Sequence, residues 1–260
     1  MQDRIVGAFF FFHHLDQMTP EERRAGFESL ADAGVNTILT ESDTYKAEIL
    51  AEARAAGLSF WGGIACFLHQ NSTGNVLERE PSLTPILSTG ERRGTIEWYN
   101  GIAPTAKSFR DERRAHLVEQ VGQHRFDGFL LDFIRWPMHW EVEYRPGYPP
   151  PLDNSFDEET LREFRARSGV ELPADLIARP GAAASWIALN SPREWVDFKC
   201  DVITSYVREI KESLSATAGR DVSLGICGVP VHPEWVGQRY SDLAEVVDLV
   251  CPMSYHPVLY

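Results

Sequence analysis

The chain has 260 residues, 43% hydrophobic and 24% charged, which is enough apolar material for one sizeable globular domain or a compact pair and argues against disorder. Its formal net charge is −13, from 25 basic and 38 acidic residues, so non-specific binding to nucleic acid or an anionic membrane is disfavoured and a neutral or cationic small ligand is better tolerated. Cys66, Cys200, Cys227 and Cys251 are scattered without a CxxC pair, which indicates neither a zinc knuckle nor a disulfide scaffold.

The pattern opens with an apolar run over residues 5–12 that reads as a first strand. The run is too short, and too closely followed by His13, His14 and Asp16, to be a signal peptide or a membrane span. The expectation is a soluble protein, cytoplasmic, or secreted where a signal peptide has been removed; the sequon at Asn71 is too common to decide. Thr19-Pro20-Glu21-Glu22 supplies an N-cap, a proline at the first helical position and acids in the first turn of a helix that stops near Gly34. A second strand over 36–40 ends at Glu41, Ser42 and Asp43; a helix over 45–56 closes at Gly57, and a third strand runs over 59–67.

Strands separated by such helices are the signature of βαβ units and a parallel sheet. Residues 69–104 then form a long polar stretch containing Trp98 and Tyr99, expected as an ordered, ligand-facing loop. A helix over 108–124 leads into residues 126–137, FDGFLLDFIRWP, and a second aromatic- and proline-rich loop follows over 137–151. The later elements are a helix over 156–168, a linker over 181–191, a long amphipathic helix over 194–216, a fifth strand over 222–227, a short helix over 241–247 and a sixth strand over 248–253. Six βα steps without a glycine-rich phosphate fingerprint favour a (β/α)8 TIM barrel over a doubly wound sheet. One barrel domain over residues 1–260 is expected, incomplete at its C-terminal end or closed unusually.

Asp132 interrupts the apolar run of the fourth strand. A carboxylate at the end of a buried strand must be solvated, paired or functional, and the carboxyl end of a barrel strand is where chemistry sits. Asp127, beginning the same strand, reads as a turn-closing residue, and Arg135 as an ion-pair partner that keeps Asp132 ionised or anchors the loop. Other strand exits offer His13, His69, Glu41 and, in the loop after the fifth strand, Glu234; Tyr255 and His256 follow the sixth. Paired carboxylates in a cleft lined by tryptophan are what glycoside hydrolysis needs, since one acid protonates the leaving oxygen while a second carboxylate works from the other side. The second acid is Glu41 or Glu234, with Glu97, Glu141 and Asp153 as further loop candidates. His13, His69, Arg135, Tyr255 and His256 are candidate substrate-binding residues, and Trp61, Trp98, Trp136 and Trp235 are candidates for sugar stacking. No HxH or HExxH spacing occurs, and neither a metal nor another cofactor is expected.

FDGFLLDFIRWP resembles the DGxxxDxxRxP fourth-strand signature of glycoside-hydrolase-like TIM-barrel families, and WYNGIAPT from Trp98, SFDEETLREFRARSGV from Ser155 and VDLVCPMSYH from Val247 follow in the order those families use. A looser similarity reaches chitinase-type barrels: Asp127, Gly128, Asp132, Met253 and Tyr255 match, whereas Leu130, Ile134 and His256 replace three acids of the pattern. The resemblance implies a barrel, a carbohydrate substrate cleaved at a glycosidic bond, and Asp132 as the functional acid with Tyr255 beside it. It does not carry over the chitinase proton donor, whose place Ile134 holds. The alternatives are a non-catalytic carbohydrate-binding barrel and a metal-dependent barrel hydrolase or isomerase.

Overall fold

The structure is a computed structural model that describes residues 4–71 and 74–254. Six strands form one parallel sheet in sequence order: β1 (Gly7–Phe11), β2 (Thr37–Glu41), β3 (Ser59–Ala65), β4 (Gly128–Asp132), β5 (Ser223–Gly228) and β6 (Leu249–Pro252). The sheet curls into part of a (β/α)8 barrel, the architecture of a TIM barrel short of two strands. Among the described residues β1 and β6 each pair on one side only.

Helices return the chain between strands: α1 (Pro20–Asp32), α2 (Ala47–Ala55), α3 (Lys107–Gln123), α4 (Glu158–Ser168), α5 (Pro180–Asn190) and α6 (Pro192–Ala218). The start of α1 obeys its sequence signal, because Thr19 and Glu22 form a reciprocal capping box in front of Pro20. Alternation along each strand sorts the core into two clusters. Ile38, Phe60, Phe129, Leu131, Leu224 and Ile226 face the helices, whereas Leu39, Trp61, Leu130 and Cys227 face the barrel interior.

Some local expectations need correction. Residues 181–191 are not a linker but lie in the helix α5, where an alanine-rich stretch starts from Pro180 and buries Ala183, Ala184 and Ile187. Gly181 sits where its backbone touches another segment: an added Cβ would lie 2.8 Å from the Thr89 carbonyl oxygen. β1 ends at Phe11, and His13 and His14 belong to a short helix, Phe12–Gln17. The helix before β6 is only Tyr240–Leu243.

The long loop after β3 is ordered against the loop after β4. Leu68 bridges Gly101, the buried Arg93 forms a two-pronged ion pair with Glu143 at 2.7 and 3.2 Å, and the Met138 N–H donates to the Tyr99 hydroxyl at 3.2 Å. These contacts deliver Trp98 to the carboxyl ends of the strands.

Candidate active site

Glu41 is the last residue of β2 and Asp132 the last of β4, and parity puts both on the face of Leu39 and Leu130, inside the barrel. β3 separates their strands, and its residue between them is Gly63. An added Cβ there would sit 2.2 Å from the Thr40 carbonyl oxygen and 2.8 Å from that of Leu130, so β2 and β4 close over β3 at this point. The two carboxyls lie near enough for Asp132 to act on Glu41. Gly63→Ala is expected to lower stability by about 1–3 kcal/mol, as overpacking of a filled interior does; a thermal melt that matches the wild type would show that the strands do not close there.

Burial raises the Glu41 carboxyl well above the usual carboxylate range, and the Asp132 charge, the hydrogen bond to it and Asp43 add to the rise. Arg113 opposes it from α3, where its Nη2 bonds Asp43 Oδ1 at 2.6 Å and the Ala65 carbonyl at 3.1 Å. The surroundings of Glu41 thus favour its protonated form. Its buried Oε2 has no hydrogen-bond partner among the described residues, a position that costs a neutral acid less than a carboxylate.

Asp132 is held by its own turn. The Phe133 N–H donates to Asp132 Oδ1 at 2.6 Å, and Phe133 takes a left-handed backbone, φ 48°, that only a constrained site keeps in a bulky residue. The Arg135 guanidinium is 1% exposed, stands 3.8 Å from Asp132 Oδ1 and lies 4.6 Å over the Phe133 ring, with Nε and Nη1 lacking hydrogen-bond partners. It faces the acid from within the wall, so its geometry suits electrostatic support of Asp132 rather than direct contact with a ligand. Polar contacts continue outward: Glu141 accepts from His139 Nδ1 at 3.1 Å, and Glu97 lies 3.9 Å from His139 Nε2. Burial alone would raise the Glu141 carboxyl, but the His139 hydrogen bond and the Arg135 charge outweigh it and hold the group below the usual range.

The other expected site residues divide. Trp98 is 48% exposed at the mouth, 6.1 Å from the Phe133 ring and 5.0 Å from His139, on a tight turn whose Glu97 has φ 53°. Trp235 packs partly against the interior cluster beside the exposed His232. Trp61, expected to stack on sugar, is instead 5% exposed and fills the barrel beneath the pair, its ring occupying the space that Gly128 and Gly225 leave open. Trp136 is also withdrawn, packed on Trp195 and Phe198 with its indole N–H donating to the Lys199 carbonyl at 3.0 Å. His69 is buried, its backbone N–H donating to the Asn100 carbonyl at 3.2 Å and its Nδ1 accepting from the Asn100 N–H at 3.1 Å, a loop anchor. His13 is exposed, 6.0 Å from Phe11.

Glu234 points elsewhere, toward Arg239 at 3.5 Å, and takes no part in the pair. Asp153 is bound to Lys199 at 3.1 Å and to the Trp195 indole at 2.7 Å. Asp127 closes the start of β4, accepting from the Phe60 N–H at 2.8 Å. Tyr255 and His256 lie outside the described residues. The sequence reading missed Gly63, Arg113 and His139; only Gly62-Gly63 within a predicted strand was a usable signal, since a strand glycine marks a bulge or a close backbone approach. Among the described residues no group of three or more His, Cys, Asp or Glu side chains is arranged to hold a metal, and no helix is long and apolar enough to cross a membrane.

Neither a protein-family profile nor a curated protein sequence matches the chain. Its fold does match solved structures, among them barrels named as glycosidases. Two are β-galactosidases, one from the psychrophilic Marinomonas ef1 (TM-score 0.62, 13% identity, 97% of this chain and 41% of that one) and one from the Antarctic haloarchaeon Halorubrum lacusprofundi (TM-score 0.62, 14% identity, 97% and 40%). A third is α-L-fucosidase isoenzyme 2 from Paenibacillus thiaminolyticus (TM-score 0.53, 14% identity, 94% and 34%). At these identities the likeness is one of fold, and the chain spans about two fifths of the length of the two β-galactosidases.

Proposed function

We propose that the protein is a glycosidase that cleaves an oligo- or polysaccharide at the mouth of its barrel, with Glu41 as the general acid and Asp132 as the carboxylate that meets the positive charge developing on the sugar. The observation that carries this reading is the approach of the Glu41 and Asp132 carboxyls at the ends of β2 and β4, which helps push Glu41 well above the usual carboxylate range. An acid whose pKa is raised by burial can protonate a glycosidic oxygen, and it does so best when that pKa lies near the working pH.

The resting approach fits an entry step. Two carboxyls near enough to act on one another fit the ~5 Å spacing of retaining glycosidases better than the ~6.5–9.5 Å that admits a water between them. An arriving glycosidic oxygen would accept the Glu41 proton, leaving Asp132 free to face the anomeric carbon as nucleophile or electrostatic stabiliser. This short separation favours retention of configuration. Arg135 would keep Asp132 charged, and Trp98 would offer an indole face to the sugar. Its truncation, Trp98→Ala, is expected to raise KM about 5–30-fold, equivalent to ~1–2 kcal/mol of binding, with kcat little changed.

The test is hydrolysis of a glycan panel by the wild type and by Asp132→Asn, with product anomers followed by NMR. Turnover by the wild type alone, with retention, is the expected result. The same approach of the carboxyls favours one other reading: a pair that never separates would make the barrel a carbohydrate-binding module, and glycan binding without turnover in both proteins would establish that instead.

A further inference from the structure

We propose that Tyr45 is a positioning residue for the carboxyl pair: its hydroxyl is wedged between β2 and β3 and holds the end of β2 in the path that brings Glu41 to Asp132. The inference rests on the pair described above, but it concerns how the pair is made. Regular pairing of β2 with β3 runs through Thr37↔Ser59, Ile38↔Phe60 and Leu39↔Trp61, misses one bond at the Gly63 N–H, and resumes with the Ser42 N–H donating to the Gly63 carbonyl at 3.0 Å. Continued in register, the Gly63 N–H would donate to the Thr40 carbonyl. It donates to the Tyr45 hydroxyl instead, at 2.7 Å, while that hydroxyl donates to the Gly63 carbonyl at 2.8 Å. The Thr40 hydroxyl lies 3.4 Å from the phenol oxygen and donates to the Trp61 carbonyl at 2.9 Å.

A side chain thus substitutes for the ladder one residue before Glu41. The released Thr40 carbonyl occupies the space beside Gly63 that a Cβ would need, and Glu41 crosses toward Asp132. The phenol cannot drift, because its ring is caged by Phe12 at 4.8 Å and Phe126 at 4.9 Å. A tyrosine present only for packing would need just one partner for its hydroxyl; this one takes both backbone groups of a glycine whose neighbours carry the site.

Tyr45→Phe keeps the ring and removes the wedge. The direct readout is the titration of carboxyl carbons by 13C NMR, which needs no substrate. Besides Asp132, the groups around Glu41 are Asp43 on its own segment, Arg113 from α3, the Tyr45 phenol and the thiols of Cys66 and Cys227. Glu41 is expected to titrate closer to the ordinary glutamate range in Tyr45→Phe, and the pH–rate profile to move with it, with kcat down by about 10²-fold, the scale of a 1 Å misplacement. Thr40→Val, which loosens the same hydroxyl network without touching the cage, should shift Glu41 in the same direction by less. Phe12→Leu, which weakens the cage but spares the hydroxyl, should lower the melting temperature and leave the Glu41 titration in place. An unchanged Glu41 titration in Tyr45→Phe or, where that variant does not fold, in Thr40→Val overturns the proposal, as does an equal shift in Phe12→Leu. Hydrolysis failing while the titrations shift as described would remove the glycosidase reading and leave the positioning role intact.

Discussion

Asp132→Asn is expected to reduce kcat by about 10³-fold or more, with KM changed little. The amide preserves shape, and its oxygen can still accept the Phe133 N–H, so the turn with φ 48° has what it needs to persist. What is lost is the negative charge facing the reaction centre, and an interaction made mainly in the transition state appears in kcat. Single preorganised electrostatic groups carry about 10²–10³ in rate, and a carboxylate that also acts as nucleophile carries more. The substitution has a second consequence. Arg135, 1% exposed and with Nε and Nη1 unpartnered, loses the nearest compensating charge. Breaking a buried ion pair from one side destabilises by about 3–5 kcal/mol. The loss here should lie below that range, because the gap is 3.8 Å and the Asp132 side chain is 15% exposed. Steady-state kinetics together with denaturant melts separate the two effects; full activity in a folded Asp132→Asn protein would remove Asp132 from the mechanism.

Glu41→Gln is the next largest, with about a 10²–10⁴-fold loss of kcat, the range of a positioned general acid. The loss should be greatest for substrates with poor leaving groups and smaller for activated aryl glycosides, which need less protonation. The same variant carries a stability signature of unusual sign. The folded protein holds the Glu41 proton more tightly than the unfolded chain does, so the contribution of Glu41 to stability is complete below its unfolded value near 4.5 and is lost as pH rises through the folded value. Glutamine mimics the protonated acid at every pH. Relative to the wild type, Glu41→Gln should therefore gain stability as pH is raised across that window. Glu141 behaves in the opposite sense: its lowered carboxyl contributes stability above about 4.5 that is lost as pH falls. Thermal melts of wild type and Glu41→Gln from acid to neutral pH test the sign, and parallel curves would mean that Glu41 titrates as an ordinary surface acid.

Much of this arrangement is local in origin and could be read from the residues. The alternation of strands and helices is written in hydrophobic period and caps, which is why Thr19-Pro20 marked the start of α1 and why β4 was visible around Asp132. Strand parity and the position of an acid at a strand exit are equally local, so Glu41 and Asp132 both stood out. The aromatic residues were less legible. Trp61 and Trp136 look as available as Trp98 in sequence, yet Trp61 fills the space over Gly128 and Gly225, and Trp136 turns outward to Trp195. Which way a tryptophan faces depends on what small or large residues other strands bring opposite it, and those lie tens of residues away.

By itself, then, the sequence determined the barrel, the order of its strands and the place of Asp132 at a strand exit, because each follows from neighbours along the chain. Only the tertiary structure decided which acid Asp132 meets. Glu41 and Glu234 are both near strand exits, but Glu234 turns to Arg239, whereas Glu41 is carried across β3 where Gly63 lets two backbones approach and the Tyr45 hydroxyl replaces a rung of the ladder. The meeting is a property of three strands at once, set by a missing side chain between the two acids rather than by either acid alone.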